Sequence, residues 1–438
     1  MNQLLELGDT VRTEFSGLVC TVQEFLGGGG QGEVYRAGMG GKQVALKWYF
    51  PHTATQEQWR ALDTLIKQGR PNERFLWPED LATTEHGRSF GYVMPLRPKE
   101  YRSLVDLMLR RCAPTFQALA TAGLELSDSF FQLHAQGLCY RDISFGNVFF
   151  DPASGEILIC DNDNVGIDGQ PGLVAGTPRF MAPEIVRGEA QPSSKTDLFS
   201  LAVLLFYLFV IHHPLDGQKA LEIHCLDLAA RRRLFGDEPV FIFDPHDRSN
   251  RPVPGEHDNA LAFWPIYPQF IRHLFTRSFT DGIRDPQNGR VRESEWRLAM
   301  ADLRDSICYC GHCGGEGFYD LAAYKASGGR PGSCPFCKRE LSLPPRIRIG
   351  KRIVVLNHDT QLCPHHVDDD RMYDFSRPVA EVVQHPTNPN IWGLRNLSTE
   401  KWVGTKAGEL RDIEPGRAMT LAPGIKINFG KKEGEVSL

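Results

Sequence analysis

Apolar positions along the chain follow strand-like spacing at first and helical spacing later. The first hundred residues contain short β-type runs, namely QGEVYRAG, KQVALKWYF and RSFGYVMPL. One helix interrupts them near residues 55–68, where apolar side chains recur at helical spacing: Trp59, Leu62, Leu65 and Ile66. From about 100 to 305 long helical patterns dominate. The pattern therefore predicts an α+β protein with a small β-rich lobe at 10–97 and a larger helical lobe at 98–305.

The remainder of the chain has a different pattern. Residues 346–438 alternate short apolar runs with Gly, Pro and Asn and show little helical periodicity. This spacing is typical of a small all-β domain. Between it and the helical region lies a cysteine-rich segment, which we assign to residues 306–345.

Composition excludes several function classes. Of the 438 residues 41% are hydrophobic and 24% charged, and the formal net charge is −5. This balance favours an ordinary globular protein and provides no broad attraction for nucleic acid or anionic lipid. The longest apolar run, at 199–211, is shorter than the roughly 20 residues needed to cross a bilayer. With no secretory signal at the N-terminus, we expect a cytoplasmic protein without a membrane partner.

Five of the eleven cysteines fall within 30 residues, including the pairs Cys310/Cys313 and Cys334/Cys337. Each pair has two intervening residues, and 20 residues separate the pairs. This spacing predicts a closed four-thiolate Zn²⁺ site, a zinc ribbon with a structural role. Cys308 and His312 lie beside the first pair and could substitute as ligands, but we expect them not to bind the metal.

A glycine-rich segment, LGGGGQGEVYRA, places Gly27, Gly29 and Gly32 in G-x-G-x-x-G spacing. Glycines allow a backbone to approach phosphates closely, although a flexible hairpin tip would read the same way. The segment does not open a helix, so it fits a dinucleotide-binding motif poorly. Lys47 follows on the next predicted strand, in VALK.

The segment YRDISFGN presents a different problem, because it places Arg141 and Asp142 beside the apolar run VFF, with Asn147 five residues after the acid. Burying charge costs several kcal/mol or more without compensating partners. We therefore expect these side chains to face a ligand.

Residues of about 15–305 resemble a eukaryotic-type protein kinase domain, and the bacterial serine/threonine kinases in particular. Seven segments match in order: the glycine loop, VALK, YRDISFGN, CDND, GTPRFMAPE, KTDLFSL and GRVRESEW. The resemblance implies a bilobal fold and ATP and Mg²⁺ as cofactors.

The resemblance also implies roles for single residues. Asp142 would be the catalytic base, Lys47 would hold the ATP phosphates, and Thr177 would hydrogen-bond the base. Asn147 and Asp161 would bind Mg²⁺. The nucleotide would be held by the glycine loop, the lysine strand and the hinge: Gly27, Gly28, Gly29, Gly30, Gly32, Val34, Ala45, Lys47, Met94 and Leu96. Outside the cleft, Glu184 would pair with Arg290, and Asp197 would anchor the catalytic loop.

Some positions depart from the family pattern. Ser144 stands where these kinases usually carry a lysine, and Asn162 and Asp163 replace the Phe and Gly of Asp-Phe-Gly. The loop that begins at Asp161 is therefore expected to switch differently. A carboxylate from the helix near 55–68 would hold Lys47, and of Glu57 and Asp63 we prefer Glu57.

The activation segment suggests how the enzyme is controlled. Between Asp161 and Glu184 the only hydroxyl side chain is Thr177, which the resemblance assigns to the catalytic loop. We therefore expect control without phosphorylation of this segment.

The sequence thus predicts a protein kinase that transfers the γ-phosphate of ATP to serine or threonine hydroxyls. Small-molecule phosphotransferases share the Asp-x4-Asn loop but lack the GTP…APE platform. The other alternative is a nucleotide-binding pseudokinase scaffold. The tail is similar to a forkhead-associated β-sandwich, and the whole arrangement resembles kinases that act beside a metal-dependent phosphatase and a von Willebrand-type protein.

Overall fold

The computed structural model describes residues 4–84, 89–170, 174, 176–385 and 387–437. The chain forms two compact units. The first comprises the residues up to Pro114 together with Ala122–Leu261 and Leu274–Arg297. The second comprises Thr115–Thr121, Ala262–His273 and the chain from Leu298 onward.

The first unit begins with a closed barrel of six antiparallel strands. In spatial order they are Thr10–Thr13, Val19–Gly28, Gly32–Met39, Lys42–Tyr49, Phe90–Pro95 and Asp80–Thr83. Lys47 pairs with Val34 on one side and Tyr92 on the other, so it lies on a central strand. The predicted helix spans Gln56–Gln68 and begins where the Thr55 side chain accepts a hydrogen bond from the Gln58 amide.

Helices dominate the chain from residue 104 to 305, as the sequence predicts. They span Leu104–Met108, Phe116–Ala135, Pro183–Val186, Ser194–Val210, Gln218–Leu221, Leu228–Arg232, Asp258–Phe263, Gln269–Phe279, Asp281–Arg284 and Glu293–Asp305. The apolar run at 199–211 falls almost entirely within Ser194–Val210, which is buried from Thr196 onward. No helix in the described parts of the chain has both the length and the apolar character needed to cross a membrane.

Short antiparallel strands carry the loops between these helices. Val148–Phe150 pairs with Ile157–Ile159 and with Arg102–Ser103, and Leu138–Cys139 pairs with Gly166–Ile167. The loop 140–147 leads into the first of these pairs, and the loop that begins at Cys160 leaves it. The pairing therefore brings together the two loops that carry Asn147 and Asp161.

The second unit contains a hairpin, Ile307–Tyr309 with Glu316–Phe318, and the helix Leu321–Ala326. Two antiparallel sheets follow. The six-stranded sheet has the order Arg352–Val355, Arg346–Ile349, Glu433–Ser437, Lys426–Asn428, Trp402–Lys406 and Glu409–Ile413. The four-stranded sheet has the order Gln361–Leu362, Ala380–His385, Asn388–Asn396 and Ala418–Thr420, and the short helix Pro364–Val367 follows its first strand. Side chains from both sheets, including Ile347, Leu394, Trp402 and Ile427, form one apolar core.

Candidate active site

A cavity of about 820 Å³ opens in the first unit. Every residue that the sequence assigned to nucleotide binding lines it: Gly27, Gly28, Gly29, Gly30, Gly32, Val34, Ala45, Lys47, Met94 and Leu96. Asp142 and Asp161 line the same cavity. The fold therefore brings the glycine loop, the lysine strand and the catalytic loop to one space.

The glycine loop connects two barrel strands and covers one side of this cavity. Its turn is closed by the Gly29 amide, which donates to the carbonyl of Gly32 at 2.9 Å. A Cβ atom on Gly32 would lie 2.2 Å from the Trp48 carbonyl oxygen, so this position requires glycine. At Gly29 and Gly30, in contrast, a Cβ would meet no described atom within 4 Å. The tip of the loop therefore leaves its backbone accessible to a phosphate-bearing ligand.

Lys47 is buried and makes ion pairs with two carboxylates. Its Nζ lies 3.0 Å from Oδ1 of Asp161 and 2.8 Å from Oδ2 of Asp163. Burial alone would lower the pKa of Lys47, but the negative charges of Asp163 and Asp161 outweigh it and the pKa rises above its usual value. The ammonium group therefore remains charged.

The predicted helix partner of Lys47 is wrong. Glu57 is exposed, and Asp63 pairs with Lys67 at 2.7 Å. The helix instead turns Gln58 inward, and its amide donates to the Tyr49 hydroxyl at 3.0 Å. An amide carries no charge, so the carboxylates that contact Lys47 come from the loop after Cys160.

Two side-chain hydrogen bonds hold the catalytic loop, one from the activation segment and one from the loop itself. Oδ1 of Asp142 accepts a bond from the Thr177 hydroxyl at 2.7 Å, the contact that the family resemblance implied. The Asn147 side-chain amide donates to the backbone carbonyl of Asp142 at 2.8 Å. The bond from Thr177 therefore fixes the direction of the Asp142 carboxylate, and the bond from Asn147 holds the loop backbone.

Asp197 holds the backbone of the same loop. Its carboxylate accepts hydrogen bonds from the backbone amides of Tyr140 at 2.5 Å and Arg141 at 3.0 Å. His134 contacts both Asp197 and Glu293. Burial lowers the pKa of His134, but the hydrogen bonds and charges of the two carboxylates outweigh it and raise the pKa to about 9. A charged histidine thus compensates the buried acids.

Asn147 and Asp161 provide oxygen atoms suited to Mg²⁺. The Cys160 amide donates to the Asn147 carbonyl at 2.8 Å. Asn147 precedes one strand and Asp161 follows its antiparallel partner, so both lie at the same end of this pair. The side-chain nitrogen of Asn147 is used by Asp142, which leaves its amide oxygen for a ligand. The Asp161 side chain is 40% exposed. One carboxylate and one amide oxygen fit a hard cation that keeps several waters or phosphate oxygens.

Asn162 and Asp163 form a single 3-10 turn with Asn164. The Asn162 side chain is fully buried and donates to the carbonyls of Leu76 at 2.9 Å and Ile159 at 3.0 Å. An apolar phenylalanine could not form these bonds. Hydrogen bonds therefore anchor this segment where the family norm uses an apolar side chain.

The activation segment is fastened to the unit at its end. Arg290 donates two hydrogen bonds to the Glu184 carboxylate, at 2.6 and 2.8 Å, as the resemblance implied. Nearer the start of the activation segment, the backbone carbonyls of Ile167 and Gln170 accept hydrogen bonds from the Arg141 guanidinium. Arg141 thus binds backbone oxygens of the activation segment and needs no phosphate group on this segment as a partner.

The sequence missed several lining residues. Phe149 lines the cavity. Its neighbours in the strand, Val148 and Phe150, are buried, so the alternation of side chains along a strand could have indicated that Phe149 faces the other way. Gln31, at the tip of the glycine loop, donates to the Asn164 side chain at 3.0 Å. The two residues are 133 positions apart, so no local pattern indicated their contact.

The four predicted thiolates lie together in the second unit. The sulfur atoms of Cys310, Cys313, Cys334 and Cys337 all fall within 4.8 Å of one another. Cys310 and Cys337 sulfurs are 3.6 Å apart, and those of Cys313 and Cys334 are 3.7 Å apart. Tetrahedral Zn–S bonds of about 2.3 Å place sulfurs close to these distances. The backbone amides of His312 and Cys313 donate hydrogen bonds to the Cys310 sulfur, that of His312 having the larger effect. These bonds stabilise the thiolate and lower the pKa of Cys310 to about 6.

Comparison with known proteins agrees with this arrangement. The family model for the protein kinase domain matches residues 20–249. The chain is 28% identical over 296 residues to the DNA damage-responsive serine/threonine-protein kinase RqkA of Deinococcus radiodurans, covering 64% of this chain and 39% of that one. It is 27% identical over 266 residues to the serine/threonine-protein kinase PkaA of Streptomyces coelicolor, covering 55% and 47%.

A plant relative matches over a shorter range. The CBL-interacting protein kinase 4 of Oryza sativa is 29% identical over 178 residues, which is 38% of either chain. The chain thus spans less than half the length of these curated relatives. The family match covers more than half of the chain itself, and Lys47, Asp142 and Asp161 line one cavity. The chain belongs to the protein kinase family.

Proposed function

We propose that this chain is a Mg²⁺-dependent protein kinase that transfers the γ-phosphate of ATP to serine or threonine hydroxyls. The observation that carries the proposal is the Asp142 carboxylate, which is oriented by Thr177 and lines the same cavity as Lys47 and Asp161. Both bacterial relatives described above are named as serine/threonine-protein kinases. Their names support the choice of acceptor.

The roles follow from the chemistry of each side chain. Asp142 accepts the proton of the substrate hydroxyl while the hydroxyl oxygen bonds to the γ-phosphorus of ATP. The bond between the γ-phosphorus and the oxygen that bridges it to the β-phosphate breaks, and ADP leaves. Lys47 binds phosphate oxygens through its charged ammonium group. Asn147 and Asp161 would hold Mg²⁺, which neutralises the negative charge that develops during transfer. Thr177 keeps the Asp142 carboxylate pointed at the hydroxyl.

The acceptor class can be tested with γ-labelled ATP. We expect the purified chain to label serine or threonine in a generic protein acceptor, or in itself, when Mg²⁺ is present. Aminoglycosides and choline should remain unlabelled, because the segment from Thr177 to Glu184 provides a peptide platform that small-molecule phosphotransferases lack. Identification of the labelled amino acid after hydrolysis is the measurement. Label found only on a small-molecule acceptor, or none at all, would contradict the proposal.

The cysteine cluster would form a zinc ribbon within residues 306–345. Four thiolates leave no open coordination position, so the metal would stabilise the fold and take no part in phosphate transfer. We expect about one zinc per chain by elemental analysis, and its loss in Cys313→Ser. Cys225→Ser is the matched control, since Cys225 is an exposed thiol remote in sequence from the cluster. Full zinc content in the Cys313 variant would exclude this site.

We further propose how the chain is divided into domains. We assign residues 10–97 and 98–305 to the two kinase lobes and residues 346–438 to a forkhead-associated-like domain, for which two packed antiparallel sheets are the support. This domain would act as a scaffold or regulator.

Protein substrates follow from the kinase family. A cytoplasmic location and the phosphatase and von Willebrand-type partners rest on the sequence and its resemblance alone.

A further inference from the structure

The carboxylate of Asp163 is the most completely buried charged group near Lys47. Its side chain has no exposed surface, and both of its oxygens lie within hydrogen-bond distance of the Lys47 ammonium, at 2.8 and 3.1 Å. The Tyr49 hydroxyl donates to the same carboxylate. Asp161, the other partner of Lys47, is partly exposed toward the cavity.

The helix Gln56–Gln68 contributes only an amide to this cluster. Gln58 is 4% exposed, and its side-chain nitrogen donates to the Tyr49 hydroxyl at 3.0 Å and to the backbone carbonyl of Asp163 at 3.2 Å. In protein kinases an ion pair between the strand lysine and a glutamate of this helix must form for activity. Gln58 supports Asp163 but cannot supply the charge.

We propose that Asp163 is the positioning residue that holds Lys47 for ATP, in place of a glutamate on the helix. This inference rests on the proposed kinase function. If Asp161 were to bind Mg²⁺, Asp163 would remain paired with Lys47 and would keep the ammonium directed at the cavity. A buried ammonium without such a partner would have no counter-charge to hold it in this position.

The location of Asp163 has a consequence for regulation. In other kinases the helix can move away and break the lysine ion pair, which is a means of control. Here the carboxylate belongs to the turn that directly follows Asp161, the proposed metal ligand, and the side chain of Asn162 anchors that turn by two hydrogen bonds. Movement of the helix therefore removes hydrogen bonds of Gln58 but leaves the ion pair of Lys47 intact.

Asp163→Asn removes the charge and keeps the shape. We expect this variant to bind ATP about 10-fold more weakly in the absence of Mg²⁺, and to show about a 10²-fold lower kcat/KM for ATP because the phosphates are no longer held in place. Binding is measured by titration with ATP in EDTA, and turnover with labelled ATP and Mg²⁺. Glu57→Gln is the matched control, because Glu57 is an exposed acid on the adjacent helix and should leave both values unchanged.

A charge relocation separates positioning from a structural role. Adding Gln58→Glu to Asp163→Asn returns a carboxylate to the helix position, next to the same Tyr49 hydroxyl. We expect this double variant to recover most of the ATP affinity that Asp163→Asn loses. A melting temperature for every variant shows whether the fold is intact. If Asp163→Asn does not fold, Asp163→Gly, which has the glycine usual in this family, takes its place: an ATP affinity about 10-fold weaker supports the role, and wild-type affinity overturns it.

The outcomes distinguish this inference from the proposed function. If the wild-type chain transfers no phosphate, the kinase proposal fails, whereas ATP binding in EDTA still reports on Lys47. If the wild type transfers phosphate and folded Asp163→Asn matches it within 2-fold in both ATP affinity and kcat/KM, the positioning role is excluded and the kinase proposal stands.

Discussion

We expect the Asp142→Asn variant to transfer phosphate about 10²- to 10⁴-fold more slowly than the wild-type chain. Asparagine keeps the size of the side chain and can still accept the 2.7 Å hydrogen bond from Thr177. It cannot accept the proton of the substrate hydroxyl. The rate should therefore fall without a loss of structure.

The measurement is the initial rate of label transfer from ATP at saturating Mg²⁺, together with ATP affinity. Affinity should change little, because the nucleotide is held by Lys47 and the glycine loop. Asp281→Asn is a suitable control, since this carboxylate is 58% exposed at the surface and pairs only loosely with Arg284, at 3.5 Å. Equal rates in wild type and Asp142→Asn would refute the assignment of Asp142 as the base.

The positions of the proposed catalytic groups could be predicted because each belongs to a short motif with its own local geometry. Asp142 and Asn147 lie on one loop, and Asp161 comes two residues after the end of the next strand. The short antiparallel pairing of Val148–Phe150 with Ile157–Ile159 therefore brings them together. The glycine loop and Lys47 lie on adjacent strands of one meander. Such neighbours in sequence become neighbours in the fold.

The partner of Lys47 could not be predicted in the same way. Among the carboxylates of the helix, the sequence favours Glu57, but Gln58 lies one turn before the buried Leu62 and so faces the core. We interpreted Asp163 only as the loss of a glycine. Its contact with Lys47 joins residues 116 positions apart and depends on how the loop after Cys160 turns.

Strand pairing in the second unit had the same limitation. Alternating apolar runs indicate that strands form, but they do not specify partners. Arg346–Ile349 pairs with Glu433–Ser437 at the other end of the region, with Ile347 opposite Val436. No turn connects these strands, so the sequence contains no local signal for their register.

The second large effect concerns stability and the ion pair between Glu184 and Arg290. Both residues are less than a tenth exposed, and Arg290 also donates to the Lys195 carbonyl at 2.6 Å. We expect Glu184→Ala to lower the free energy of unfolding by about 3–5 kcal/mol, because it leaves the Arg290 charge buried without a counter-charge.

Urea unfolding followed by tryptophan fluorescence measures this loss. Lys67→Ala is the control, because it removes an exposed ion pair with Asp63 on the helix surface and should cost about 0.5 kcal/mol or less. The comparison isolates the effect of burial, since both variants break one ion pair between an acid and a base. If Glu184→Ala proved no more destabilising than Lys67→Ala, solvent would have to reach Arg290, and the pair could not be what fastens the end of the activation segment to the rest of the first unit.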